Sequence, residues 1–169
     1  MLNQILKLML WTLVPFLELR YSIPMGILSG TVNLPFGMSI TGLGMDWRVV
    51  FLVCVIANMI LGALIYLGLN VFTKYFVQYE FFNKPYQFFV RRTQKKITKY
   101  VDKYGLLGVA LFIAIPLPGS GSYSGALGAH VLGLDFKKFI CANCIGVTIA
   151  GILVTIMSLT GKGIFELLI

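Results

Sequence analysis

Residues 105–133 read GLLGVALFIAIPLPGSGSYSGALGAHVLG, and no Asp, Glu, Lys or Arg occurs from Tyr104 to Leu134. The stretch is apolar enough for a membrane. The run Pro116-Leu117-Pro118-Gly119-Ser120-Gly121-Ser122 nevertheless stops a helix, because proline has no N–H to donate and glycine loses the most backbone entropy. The flanking pieces, Gly105–Ile115 and Tyr123–Gly133, are 11 residues each. At about 1.5 Å per residue each makes about 16 Å of helix, roughly half a hydrocarbon core of about 30 Å. Irregular backbone at membrane depth survives only where protein buries it or water lines it. The reading is two half-helices around a break, not one ordinary span.

The composition around this stretch sets the class. The chain has 169 residues, 58% hydrophobic and only 12% charged, with mean hydropathy +0.88. Soluble domains are about one-quarter charged, so a soluble enzyme or a nucleic-acid module is excluded. Three further stretches carry no charge: Tyr21–Met45, Val49–Thr73 and Phe139–Gly161. The last two also lack proline and predict ordinary spanning helices at about 47–73 and 137–161. No cleavable signal peptide is expected. The N-terminal region has a single Lys7 and no small-residue cleavage site, and the apolar pattern continues past Pro15.

A second break precedes the first spanning helix. Ile5–Val14 is followed by Pro15-Phe16-Leu17-Glu18-Leu19-Arg20-Tyr21-Ser22-Ile23-Pro24 and then by a Gly-containing apolar run to Leu34-Pro35. The starts of the spanning helices match as well. Gly44-Met45-Asp46-Trp47-Arg48 corresponds to Gly133-Leu134-Asp135-Phe136-Lys137, and at the same offset Ile60, Gly62 and Leu64 meet Ile149, Gly151 and Leu153. In each half the Asp is expected to cap the helix at the membrane surface, followed by an interfacial aromatic. These correspondences predict an internal duplication of the kind transporters carry.

The net charge of +8 has a local origin. From Lys74 to Lys103 eight basic residues (Lys74, Lys84, Arg91, Arg92, Lys95, Lys96, Lys99, Lys103) face only Glu80 and Asp102. Such a loop is expected on the cytoplasmic side. With its interleaved aromatics it reads as an amphipathic segment on anionic headgroups, not a nucleic-acid site. The predicted fold is therefore an all-α integral membrane protein of two pseudo-repeats in inverted orientation. Each repeat is a re-entrant helical hairpin plus a spanning helix. The first repeat is 1–73 (hairpin about 5–43), the linker 74–104, and the second repeat 105–169 (hairpin about 105–133). The alternative is four plain spans with parallel halves. It would put Lys137 and Lys138 outside, against the positive-inside rule.

Glu18 and Arg20 are the sharpest candidates for chemistry, since ionisable residues at membrane depth are expensive and mark function. Arg20 could hold an anionic headgroup bidentately, and a desolvated Glu18 could carry a proton. An interfacial anchor is the bland reading. Gly119, Ser120, Gly121, Ser122, Tyr123 and Ser124 offer backbone N–H groups, hydroxyls and the start of a half-helix, which attracts anions. Gly and Ser also permit close helix packing. His130 is the lone histidine, a proton relay or an interfacial residue. Asn58 and Asn143 read as glue between helices, and Cys54, Cys141 and Cys144 as free buried thiols. One His and six acids assemble neither a hydrolase triad nor a metal site, so no enzyme, cofactor or metal is expected.

Glu18-Leu19-Arg20-Tyr21-Ser22-Ile23-Pro24 together with Pro116-Leu117-Pro118-Gly119-Ser120-Gly121-Ser122-Tyr123-Ser124-Gly125-Ala126-Leu127 resembles the paired motifs of the small multidrug export protein family. That family is in turn similar to the DedA (VTT-domain) superfamily, whose members resemble transporters with two opposed re-entrant loops. The resemblance puts Glu18, Arg20 and Pro24 on the first motif and Pro116 to Gly125 on the second. It differs in one respect: DedA relatives carry an arginine in the second loop too, and here that loop is uncharged. The resemblance implies a multi-pass transporter in the cell membrane whose partners are membrane lipids and a small amphiphilic substrate. Two hairpins meeting near the midplane would translocate an anionic lipid phosphate, as a lipid flippase does. Arg20, Pro24 and the Gly-Ser loop would bind it, and Glu18 would couple it to protons. Proton-coupled export of cationic drugs and a non-transporting membrane adaptor are the other readings. A homo-oligomer stays open.

Overall fold

The computed structural model describes residues 2–14, 18–33, 39–75, 105–115 and 120–167. Nearly all of the basic linker lies outside these residues, as do Pro15 to Leu17 and Pro116 to Gly119. Among the described residues, six helices and one two-stranded sheet run in the order α1 (Leu2–Leu13), α2 (Glu18–Ile27), β1 (Ser29–Asn33), β2 (Ser39–Leu43), α3 (Trp47–Tyr75), α4 (Leu106–Ala114), α5 (Ser122–Val131) and α6 (Phe136–Leu167). Two compact units divide them. The first is residues 1–58 with 149–169, and the second is residues 59–148.

The two long helices behave as the sequence predicts. Trp47–Thr73 and Phe136–Gly161 are 27 and 26 residues of high hydropathy, long and apolar enough to cross a membrane. On α3, Leu52, Ile56, Ile60, Leu64, Leu67 and Val71 form an exposed stripe at helical spacing, a face suited to lipid. The buried face mixes the small or polar Cys54, Ala57 and Asn58 with Val50, Val55, Leu61 and Tyr66. Small and polar residues on such a face let helices pack without a hydrophobic driving force. Close approach follows. A Cβ on Gly62 would stand 2.5 Å from Asn143 Nδ2, and one on Gly151 would stand 2.7 Å from a Val55 methyl.

Both long helices start identically. Gly44 and Gly133 are left-handed (φ +59° and +67°). Two residues later Asp46 Oδ1 accepts from Arg48 N (2.8 Å) and Asp135 Oδ2 from Lys137 N (3.2 Å). Each Asp thus takes one of the four N–H groups that a helix leaves unpaired at its start. The predicted caps are present at both matched positions.

None of the four short helices is long enough to cross a membrane alone, with 12, 10, 9 and 10 residues for α1, α2, α4 and α5. They form two pairs that fold back on themselves, α1 on α2 and α4 on α5. A Cβ on Gly26 would lie 3.0 Å from Leu8 Cδ2, and one on Gly125 would lie 2.5 Å from Ile113 Cγ1. Gly125 and Ile113 are only a dozen residues apart. In a continuing helix they would be separated by about 18 Å, so α5 runs back along α4.

Two expectations need correction. The all-α reading fails between Ser29 and Leu43, where β1 and β2 pair antiparallel with Thr31 opposite Thr41 and Asn33 opposite Ser39. The helical hairpin predicted over about 5–43 therefore ends at Ile27. The segment was read by its lack of charge. Its β-branched Thr31, Val32, Ile40 and Thr41 on either side of Pro35 and Gly37 in the sequence carried the strand signal. A two-stranded sheet has open edges that hydrocarbon cannot satisfy, so this piece belongs in water or against protein. The first break is also shorter than predicted. Pro24 is inside α2 and its carbonyl accepts from Leu28 N (2.9 Å); the ring costs only the bond to the carbonyl one turn back.

Candidate functional site

Glu18 begins α2 in an unusual state. Its φ is +46°, and among the described residues it is the only non-glycine with positive φ. A side chain in left-handed backbone costs about 1–2 kcal/mol. Such strain is kept where the surroundings determine it, and it clusters at functional sites. The carboxylate is also buried, 4% exposed. Its backbone N–H bonds Val14 O (3.4 Å), which brings the end of α1 against the start of α2. The left-handed turn is what lets Glu18 close one helix and open the next while pointing its side chain inward.

The inward direction has a definite partner. Asn58 on α3, 1% exposed, places Nδ2 3.5 Å from Glu18 Oε2. Below it on α2, the Ser22 hydroxyl donates to Glu18 O (2.9 Å). One turn before Asn58, the Cys54 thiol meets the buried Thr12 hydroxyl of α1, which itself donates to Leu8 O (2.8 Å). Three helices therefore bring Thr12, Glu18, Ser22, Cys54 and Asn58 into one polar interior. Arg20 is half-buried on α2 in the field of the Glu18 carboxylate and the Tyr21 phenol. Pro24 lies one turn further along the same helix. Asn58 was read from sequence as helix glue. The available signal was an amide in the middle of a charge-free span, which is costly to bury without purpose; nothing in the sequence says that it faces Glu18.

The second break, in the other unit, is built differently. Ser120 Oγ donates to Ile115 O (2.7 Å) and so ties the two sides of the turn. Gly121 caps α5 at φ +124°, ψ −174°, with no side-chain oxygen at the cap. That backbone region is open essentially to glycine alone. Ser122 is buried, while Ser120, Tyr123 and Ser124 are half-buried. Gly119 lies outside the described residues. The arrangement is a glycine-capped helix start with hydroxyls and no charge. His130, at the far end of α5, stands edge-on to Tyr66 of α3 at 5.8 Å between ring centroids. Tyr66 stacks on Phe139 at 5.0 Å and donates its hydroxyl to Leu134 O. This is an aromatic clasp on the start of α6. Among the three cysteines, Cys54 is buried as expected, but Cys141 is exposed and Cys144 half-buried. Asn143 does act as glue, donating to Met59 O (3.2 Å).

Among the described residues, no group of three or more His, Cys, Asp or Glu could hold a metal. Comparison of the chain with known families matches one, described as Putative small multi-drug export protein, over residues 18–153. Comparisons with curated proteins and with solved structures return no match.

Proposed function

The chain belongs to this small multi-drug export family, and on that premise we propose that it is a proton-coupled membrane exporter of small amphiphilic compounds, with Glu18 as the proton carrier. One observation carries the reading: a buried carboxylate in left-handed backbone at the break between two half-helices. Strain and burial of an ionisable group at such a break are costs that a mere anchor has no reason to keep. Export, not catalysis, is also the activity in the family's description.

In this reading α1–α2 and α4–α5 are re-entrant hairpins, and α3 and α6 cross the cell membrane. The +6 of the linker at 74–103 holds that segment in the cytoplasm against anionic headgroups. The matched Gly-x-Asp caps at the starts of α3 and α6 support a duplication, and the positive-inside rule favours its inverted form. Arg20 is a ligand for an anionic headgroup, a lipid phosphate of the kind moved by DedA-like proteins; the helix start at Gly121–Ser124 is, by itself, a second anion-binding element. A second reading, cationic drugs bound and released by Glu18 itself, is favoured by the burial of Glu18 beside an Arg20 that is only half-buried. The adaptor reading gives Glu18 nothing to do.

Two probes in reconstituted vesicles separate the substrates: a short-chain fluorescent lipid phosphate and a cationic dye. With an anionic cargo, Glu18→Gln and Arg20→Ala each abolish movement of the lipid phosphate. With a cationic cargo, Glu18→Gln abolishes dye efflux and Arg20→Ala spares it. If both variants move both probes as the wild type does, the proposal is wrong.

A further inference from the structure

Asn58 Oδ1 is a buried acceptor with no hydrogen-bond partner, on the same amide whose Nδ2 faces Glu18. A buried carbonyl oxygen left unpaired costs about 1–3 kcal/mol, so its persistence beside a carboxylate needs an account. The donor distance of 3.5 Å is long for an N–H···O bond, which favours about 2.9 Å. The amide is neither fully used nor tightly held. It is also 1% exposed, which excludes bulk water as the habitual partner.

We propose that Asn58 is the positioning residue that reads the protonation state of Glu18, exchanging its donor for its acceptor when the proton arrives. With Glu18 ionised, Nδ2–H donates to Oε2. When a proton from solution forms an O–H bond on the carboxylate, that N–H···O contact breaks. The amide turns over, and Oδ1 accepts the new O–H at about 2.7 Å. One side chain thereby satisfies both states of the carrier, and the oxygen that is unpaired in the charged state is paired in the neutral one. The turnover also pulls α3 toward the α1–α2 break, because the acid bond is shorter than the 3.5 Å contact it replaces.

The surroundings limit what else could answer the proton. Arg20 and Tyr21 are the charged and titratable neighbours on α2. On α3 the Cys54 thiol is engaged by Thr12. Lys7, the charged residue of α1, is exposed. Beside them the Asn58 amide presents a buried acceptor without a hydrogen-bond partner.

This inference rests on the reading of Glu18 as proton carrier, but its test needs no substrate. Infrared difference spectra between acid and neutral pH, recorded on the purified full chain in lipid nanodiscs, read the carboxyl C=O stretch that Glu18→Gln deletes. In Asn58→Leu the band is expected to shift to the higher frequency of an acid without an acceptor. Asn58→Val should match that shift. Asn58→Thr has the shape of valine but a hydroxyl that accepts, and should bring the band back toward the wild type. An identical band in wild type, Leu and Val overturns the proposal, as does the absence of any Glu18 band. A band abolished by sodium at fixed pH assigns the pocket to a monovalent cation and also overturns it. Failure of both transport probes, with the shifts intact, would refute the export reading and leave the Asn58 switch standing.

Discussion

The two helix breaks are solved by opposite means. The break before α2 forces a glutamate into left-handed backbone at φ +46°, whereas the break before α5 puts a glycine, Gly121, at φ +124°. Both serve helix pairs that fold back on themselves. In the second pair the residue that tolerates the conformation at no cost occupies it, and hydroxyls line the turn. In the first, the chain accepts strain to hold an ionisable group in a buried position next to Asn58. The difference is that strain and burial fall on an ionisable group at the first break alone of the two. Glycine at a turn is what folding alone selects; a strained, buried glutamate is what folding alone would remove.

The comparison can be broken at its glycine side first. Gly121→Ala puts a Cβ where only glycine is comfortable, and a loss of about 1–3 kcal/mol is expected. Glu18→Asn should do the reverse: asparagine tolerates left-handed backbone, so thermal unfolding should show a gain of up to about 1 kcal/mol while proton-coupled transport is lost. If Glu18→Asn destabilises as much as Gly121→Ala, the strain argument fails. Packing sharpens the contrast on a smaller scale. A Cβ on Gly146 of α6 would meet Ala110 O, a backbone atom of α4, at 2.6 Å, whereas one on Gly26 of α2 would meet the methyls of Val50 at 2.6 and 2.8 Å. Backbone cannot give way and methyls partly can. Gly146→Ala should cost about 1–3 kcal/mol and Gly26→Ala less. Gly68→Ala, with nothing within 4 Å of its Cβ, should gain about 0.5–1 kcal/mol from helix propensity. Equal melting temperatures for all three would show that the pairs are not held by close approach.

Much of this was legible in the sequence, for reasons that differ by element. The long helices follow from two charge-free, proline-free stretches and their Asp caps at 46 and 135, because membrane length and cap chemistry are local rules. The α4–α5 break follows from the two prolines and two glycines between Pro116 and Gly121, which together oppose a continuous helix. The β-hairpin was missed because absence of charge masked the β-branched pairs Thr31-Val32 and Ile40-Thr41; hydropathy and strand propensity compete in short segments. Pro24 was read as an end of the break, but a proline late in a short helix removes just one bond. Glu18 stood out as a costly residue. Its partner Asn58 did not, since a contact across 40 residues is set by packing, not by spacing.

The central claim is that the strained carboxylate at the first break carries the proton that drives export. The direct measurement is proton flux in vesicles of the reconstituted chain with an internal pH dye, with the cationic dye or the short-chain lipid phosphate supplied on one side. Wild type should move protons only when the transported probe is present, and Glu18→Gln should move neither the probe nor protons uphill. Equal proton flux in wild type and Glu18→Gln would contradict the account.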